Sequence, residues 1–189
     1  MSDVEELNRL IALGLNINAA LGVIQGKQNE AFEVAQSQDK REAEAWCKRR
    51  KNIPIALIPL WDTNPANFYL AFDGAFPGDY APTDFAIIQA DVSDVDGKLT
   101  FATGRDKDPW HKRYKTQSCG IAYRWHHGRA VTPPLLVECE GQVHIAGEMH
   151  RYHLAKHYGS SSMPFLVWKT EALAIIALIQ SATLLASSS

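Results

Sequence analysis

Apolar residues at Val4, Leu7, Leu10, Ile11, Leu15, Leu21 and Ile24 recur at near-helical spacing, and Ser2 with Glu5 three positions later forms a capping box. A first helix is expected from the N-terminus to Gly26. The next stretch, 27–50, is rich in Ala, Glu, Gln and Lys with no internal Pro or Gly, which predicts a second helix. It ends in Lys48-Arg49-Arg50-Lys51. That run either complements the negative end of the helix dipole or forms a basic patch.

Prolines 54, 59 and 65 then end the helical pattern. Short apolar runs at 53–61, 68–72, 85–92 and 99–102 predict strands, with Asp96-Gly97 as a tight hairpin turn between the last two. After Pro133-Pro134, a strand at Leu135-Leu136-Val137, a turn at Glu138-Cys139-Glu140-Gly141-Gln142 and a strand at Val143-His144-Ile145-Ala146 form a second predicted hairpin. Gly147 follows, then a helix from Glu148 to Tyr158 closed by Gly159 in a left-handed cap, then a strand over 163–168. The apolar stretch 172–186 is interrupted by Gln180, Ser181 and Thr183 and falls short of the ~20 residues that span a bilayer, so it reads as a buried or partner-facing helix. The fold class expected is α+β: a mixed or antiparallel sheet over about 53–168, with helices from both termini packed on it. Residues 1–52 form a helical arm and 53–189 the α+β domain, as one compact unit.

The 189 residues carry 46% hydrophobic side chains, enough for one well-buried core, and a net charge of -2, which argues against a generally basic nucleic-acid coat. The charge is segregated, however. Between Asp62 and Asp96 there are seven Asp and no Lys or Arg, whereas Gly104 to Arg129 holds seven Lys or Arg against two Asp. Those seven, Arg105, Lys107, Lys112, Arg113, Lys115, Arg124 and Arg129, are interleaved with Trp110, Tyr114, Tyr123, Trp125, His111, His126 and His127. Cations among stacking surfaces suit single-stranded nucleic acid; the alternative is a solvated loop and strand whose aromatics point inward. Asp91, Asp94 and Asp96 lack the alternation and distal Glu of a calcium loop and read as turn chemistry. The acidic N-terminus is unlike a secretory signal. Three cysteines with no CxxC pair fit a reducing compartment, so a cytoplasmic protein is expected.

The chemistry concentrates at Gly147-Glu148-Met149-His150-Arg151. A glycine at a strand-to-helix junction lets the backbone turn sharply and lets an anion approach the first helical turn. From there His150 would offer a titratable donor and Arg151 a permanent fork of donors to the same phosphate. Glu148 would either cap the dipole or, beside a bound nucleotide, bind a metal or orient a water. Glu138 and His144, on the preceding strands, are weaker candidates, because strand residues alternate faces and a lone His is more often structural.

The run Gly147-Glu148-Met149-His150-Arg151-Tyr152 resembles the Gly-Gly-Cys-His-Arg nucleotide-binding signature of sulfiredoxins, and its Gly-Glu opening resembles the Gly-Glu-Arg-Arg box of ParB partition proteins. The order of elements over 143–167 is similar to ParB, and the resemblance covers about Pro133 to Gln180. Met149 stands where a sulfiredoxin has its reactive cysteine, so sulfinic acid reduction has no nucleophile here. His150 stands where ParB has its second signature arginine, and the 30 residues after Gly159 are too few for ParB's helix-turn-helix domain.

Over its whole length the chain resembles the plasmid fertility inhibition factors of this ParB/sulfiredoxin group. The resemblance implies a factor that blocks transfer of DNA, T-DNA in particular, through a type IV secretion system. It further implies hydrolysis of ATP with Mg2+ and cleavage of DNA at the turn. Glu148, His150 and Arg151 would be catalytic, Gly147 to Arg151 would bind phosphate, and single-stranded transferred DNA would lie along the basic segment. A non-catalytic inhibitor docking on the secretion coupling protein, or on the transferred effector or nucleoprotein, is the alternative. On either reading the protein has no membrane span and works in the cytoplasm, or at the inner face of the membrane through its partner.

Overall fold

Ser2 accepts a hydrogen bond from the Glu5 amide while the Glu5 carboxylate takes that of Ser2, so the capping box read from sequence opens α1, Asp3–Ala12. The computed structural model describes residues 2–49, 54–72, 75, 78–100 and 108–185. The chain divides into two compact units, Met1–Asn52 and Ile53–Ser189, described one at a time.

In the first unit the single long helix expected to reach Gly26 is two helices. Gly14 takes a φ of +97°, which favours glycine, and Leu15 donates back to the Leu10 carbonyl at 3.2 Å, closing α1. Asn16 then caps α2, Ile17–Ile24, accepting from the Ala19 amide at 3.0 Å. The third helix, α3, covers Glu30–Arg49 and is capped by Asn29. Leu10, Leu15, Ala19 and Ala20 form the core, with Leu7, Val23, Ile24 and Val34 packed on it. Arg9 bridges α1 to α3, reaching Glu6 at 2.6 Å and Glu30 at 2.7 Å.

The second unit is a five-stranded mixed sheet in the order β3-β2-β4-β1-β5. Its strands are β1 Phe85–Asp91, β2 Leu135–Cys139, β3 Gln142–Gly147, β4 Ser162–Trp168 and β5 Thr183–Leu184. β2 and β4 run parallel, joined where Leu135 meets Leu166; the other neighbours are antiparallel. The helices are α4 Val92–Lys98, α5 Lys115–His126, α6 Met149–His157 and α7 Ala172–Leu178. α4 packs on β1 and β3, α7 on β1, β2 and β5, and α5 on α6. β4 is central, with Met163 to Val167 all buried, as a continuous apolar run requires. A second apolar cluster gathers Phe68, Ala71, Phe85, Ile87, Leu135 and Leu166, with Phe72, Tyr80 and Trp168 against it. Among the described residues, no helix is long and apolar enough to cross a membrane.

The β2–β3 hairpin, β4 and the left-handed cap at Gly159 (φ +82°) match the sequence reading. Five readings are corrected. Residues 68–72 are not a strand: Asn64 caps the 3-10 helix Pro65–Ala71, with Pro65 in its first turn and the Ala66 amide donating to the Asn64 side chain at 3.1 Å. Within 54–61, only Trp61 makes a bridge, to Val131. Asp96-Gly97 is no hairpin turn; it lies in α4, whose Val92 and Val95, followed by Leu99, are buried at helical spacing. Leu99 then bridges to Val143, while 101–107 lie outside the described residues. The C-terminal helix stops at Leu178, and Thr183–Leu184 add the edge strand β5. The basic stretch, for which a solvated loop and strand was the alternative reading, contains α5.

Candidate functional site at the Gly147–Arg151 turn

Gly147 ends β3 and opens no left-handed turn of its own; what it provides is closeness. A Cβ built on it would lie 2.1 Å from the carbonyl oxygen of Ala71, at the end of the 3-10 helix. The positive φ falls one residue later. Glu148 sits in the left-handed region at φ 59°, ψ 36°, a conformation that costs a non-glycine residue about 1 kcal/mol or more. Such backbone persists only where its surroundings enforce it, and it clusters at functional sites.

Those surroundings are visible. The Arg151 amide donates to the Glu148 carbonyl at 2.9 Å, and the Arg151 guanidinium meets the Glu148 carboxylate at 2.9 Å. Arg151 is only 7% exposed. Its guanidinium also donates to the Thr132 carbonyl at 2.7 Å and to the Leu70 carbonyl at 3.2 Å. The fork thus points into the fold and joins three segments beneath the turn: the 3-10 helix, the approach to β2, and Glu148. A phosphate at the turn would reach it only by displacing one of these partners.

His150 is half-buried and directed elsewhere. Its ring lies 5.6 Å from that of Tyr114, the residue before α5, and the Arg113 guanidinium lies 5.7 Å over the same Tyr114 ring. The structure therefore brings His150 together with the first part of the basic segment, where Lys112, Arg113 and Lys115 are exposed. Arg124 and Arg129 belong to the other end of α5. Nine residues of helix separate Lys115 from Arg124, roughly 14 Å. There Arg129 stacks over Tyr123 at 5.0 Å. Arg105 and Lys107 lie outside the described residues. Of the interleaved aromatics, Trp110, Tyr123 and Trp125 are buried, and Trp125 Nε1 donates to the Leu60 carbonyl. For these three the inward-pointing alternative holds.

Searched against protein-family models, curated proteins and solved structures, the chain matches none.

Glu138 and His144 lie away from the turn. The Glu138 carboxylate accepts from the Gly141 amide at 2.8 Å and so braces the β2–β3 hairpin loop. That loop is at the far end of β3 from Gly147, about 17 Å for the five residue steps from Gln142. His144 Nδ1 is paired with the Thr100 hydroxyl at 3.2 Å. Met149 is the first residue of α6 and half-buried.

Among the described residues, no group of three or more His, Cys, Asp or Glu is placed to hold a metal ion. Glu148 is the carboxylate at the turn, and it is engaged by Arg151. The donors there do not fit a metal held by protein alone.

Sequence reasoning missed Tyr114 as the partner of His150 and Ala71 as the reason for Gly147. Both contacts join segments 36 and 76 residues apart, and no local pattern encodes them. It also missed Asp96, which accepts from the buried Tyr152 hydroxyl and from Lys156 Nζ and fastens α4 to α6. Burial, then the adjacent Asp96, raises the Tyr152 phenol above its usual range.

Proposed function

We propose that this chain is a plasmid fertility inhibition factor of the ParB/sulfiredoxin group, similar to the oncogenic suppression protein Osa. It blocks transfer of T-DNA and related DNA through a type IV secretion system. Its active centre is the Gly147–Arg151 turn, where ATP hydrolysis supports cleavage of the transferred strand. The observation that carries this reading is the left-handed Glu148 between the closely packed Gly147 and the buried Arg151. Strained backbone of this kind, at a strand-to-helix junction beside cationic side chains, is a common setting for phosphate chemistry.

Each residue has a distinct part. His150 meets the phosphate and holds or gives a proton to the leaving oxygen. Glu148 orients the attacking water. Arg151 is a positioning residue, setting Glu148 from below. Lys112, Arg113 and Lys115 attract the nucleic acid backbone. Magnesium arriving with the nucleotide would neutralise phosphate charge, with Glu148 as its protein ligand.

The test is phosphate release from ATP and cleavage of single-stranded DNA by the purified protein with magnesium, run beside His150→Ala and Glu148→Gln variants of unchanged circular dichroism. The expected outcome is turnover by the native chain and a loss of about 100-fold or more in each variant. Absence of turnover in the native chain overturns the catalytic part.

A second reading, a non-catalytic inhibitor docking on the secretion coupling protein or transferred nucleoprotein, is favoured by the inward-turned guanidinium of Arg151, which serves the fold. A His150→Ala variant that still blocks DNA transfer in a mating assay would select it.

A further inference from the structure

We propose that Tyr114, flanked by His111 and His150, is a base-stacking platform for single-stranded nucleic acid, with Lys112, Arg113 and Lys115 taking the adjoining phosphates. The proposal rests on the reading above for its ligand class. It requires no cleavage and no nucleotide hydrolysis.

Three observations carry it. First, the aromatics divide sharply by burial. Trp110, Tyr123 and Trp125 are spent in the core, whereas Tyr114 is half-buried and His111 exposed at the mouth of α5. Second, the rings form a connected set that spans two elements. His111 and Tyr114 are 6.1 Å apart at 53°, and Tyr114 and His150 are 5.6 Å apart at 50°. Third, the cations are arranged around the rings. The Arg113 guanidinium lies 5.7 Å over Tyr114, and Lys112 and Lys115 are exposed on either side in sequence. Every base has a π-face, so such a surface binds single strands with little regard to sequence, provided backbone charge is met close by. Duplex DNA hides those faces and gains only from the cations. The geometry therefore points to an unpaired strand, and it puts that strand beside His150.

The experiment is fluorescence anisotropy with a labelled oligothymidylate and an abasic oligomer of the same length, at low salt and without nucleotide. The full-length native chain is compared with Tyr114→Ala, Tyr114→Phe and Lys112→Ala. Circular dichroism and thermal melting establish that each variant is folded. The native chain should bind the oligothymidylate about tenfold more tightly than the abasic strand. Tyr114→Ala should abolish that preference, and Tyr114→Phe should retain it. Lys112→Ala should weaken both ligands by a similar factor and leave the ratio unchanged. Equal binding of the two oligomers by the native chain, no binding of either, or a preference that survives in Tyr114→Ala overturns the proposal. Should Tyr114→Ala fail to fold, the native ratio decides alone. Base preference without any DNA cleavage would sink the catalytic reading and leave the platform standing; cleavage without base preference would do the reverse.

Discussion

The carbonyl oxygen of Ala71 fills the space in which any side chain on Gly147 would begin, 2.1 Å from an ideal Cβ. The obstacle is backbone, so it cannot rotate away. Gly147→Ala should therefore cost about 1–3 kcal/mol, the range for overpacking, through displacement of the 3-10 helix Pro65–Ala71 from the sheet. Urea denaturation monitored by tryptophan fluorescence measures it, and a change below 0.5 kcal/mol on the order-of-magnitude scale of surface substitutions would contradict it.

Glu148 allows the backbone and side-chain contributions to be separated. Glu148→Ala and Glu148→Gly both remove the carboxylate that faces Arg151, but only glycine relieves the left-handed φ. The glycine variant is expected to be the more stable of the two by about 1 kcal/mol. Equal stabilities would mean that the turn relaxes once the carboxylate is gone.

Arg151 should behave as a structural residue. Truncation to alanine strips the Thr132 and Leu70 carbonyls of this donor and removes the guanidinium that faces the Glu148 carboxylate, at a cost of about 3–5 kcal/mol. Arg151→Lys should recover only part of this, because one ammonium cannot reproduce a planar fork. Full recovery by lysine, read from thermal melts, would show that charge alone matters there.

Tyr152 predicts an alkaline limb. Its hydroxyl is buried against Asp96, and its folded pKa is raised, so the neutral form is the one the fold favours. The contribution is fully present below the unfolded phenol's pKa near 10 and is lost as pH climbs from there toward the raised folded value. Above pH 10 native stability should fall more steeply than that of Tyr152→Phe, by up to roughly 1.4 kcal/mol per pH unit. At pH 7 the same substitution should cost about 1.5–3 kcal/mol for the lost bond to a charged acceptor. Parallel pH profiles for the two proteins would remove Tyr152 from this role.

What the sequence determined by itself is the local part of the structure. Ser2 and Glu5 set a helix start, Glu140-Gly141 a hairpin loop with positive φ at both residues, Gly159 a helix end, and 163–168 a buried strand. Each depends on interactions within a few residues, where backbone sterics and side-chain caps act without help from the rest of the chain. The strand, glycine and helix order around Gly147 was legible for the same reason. Some local signals were present but outweighed: Asn16 and Asn64-Pro65 mark helix starts, and the 92, 95, 99 spacing marks a helical face behind Asp96-Gly97.

Tertiary structure alone decided the rest. Asp96 could serve a turn or a helix; its two acceptor oxygens went to Tyr152 and Lys156, 56 and 60 residues away, and that settled α4. Arg151 could reach outward for an anion or inward for carbonyls, and it turned in to those of Leu70 and Thr132, since buried carbonyls must be paired. Tyr114 could join the core like Trp110 or meet His150 at the surface, and the packing of α5 on α6 chose the latter. In each case a side chain with two local options took the one supplied by a distant segment, because burial makes the loss of a partner costly and the sequence neighbourhood cannot provide one.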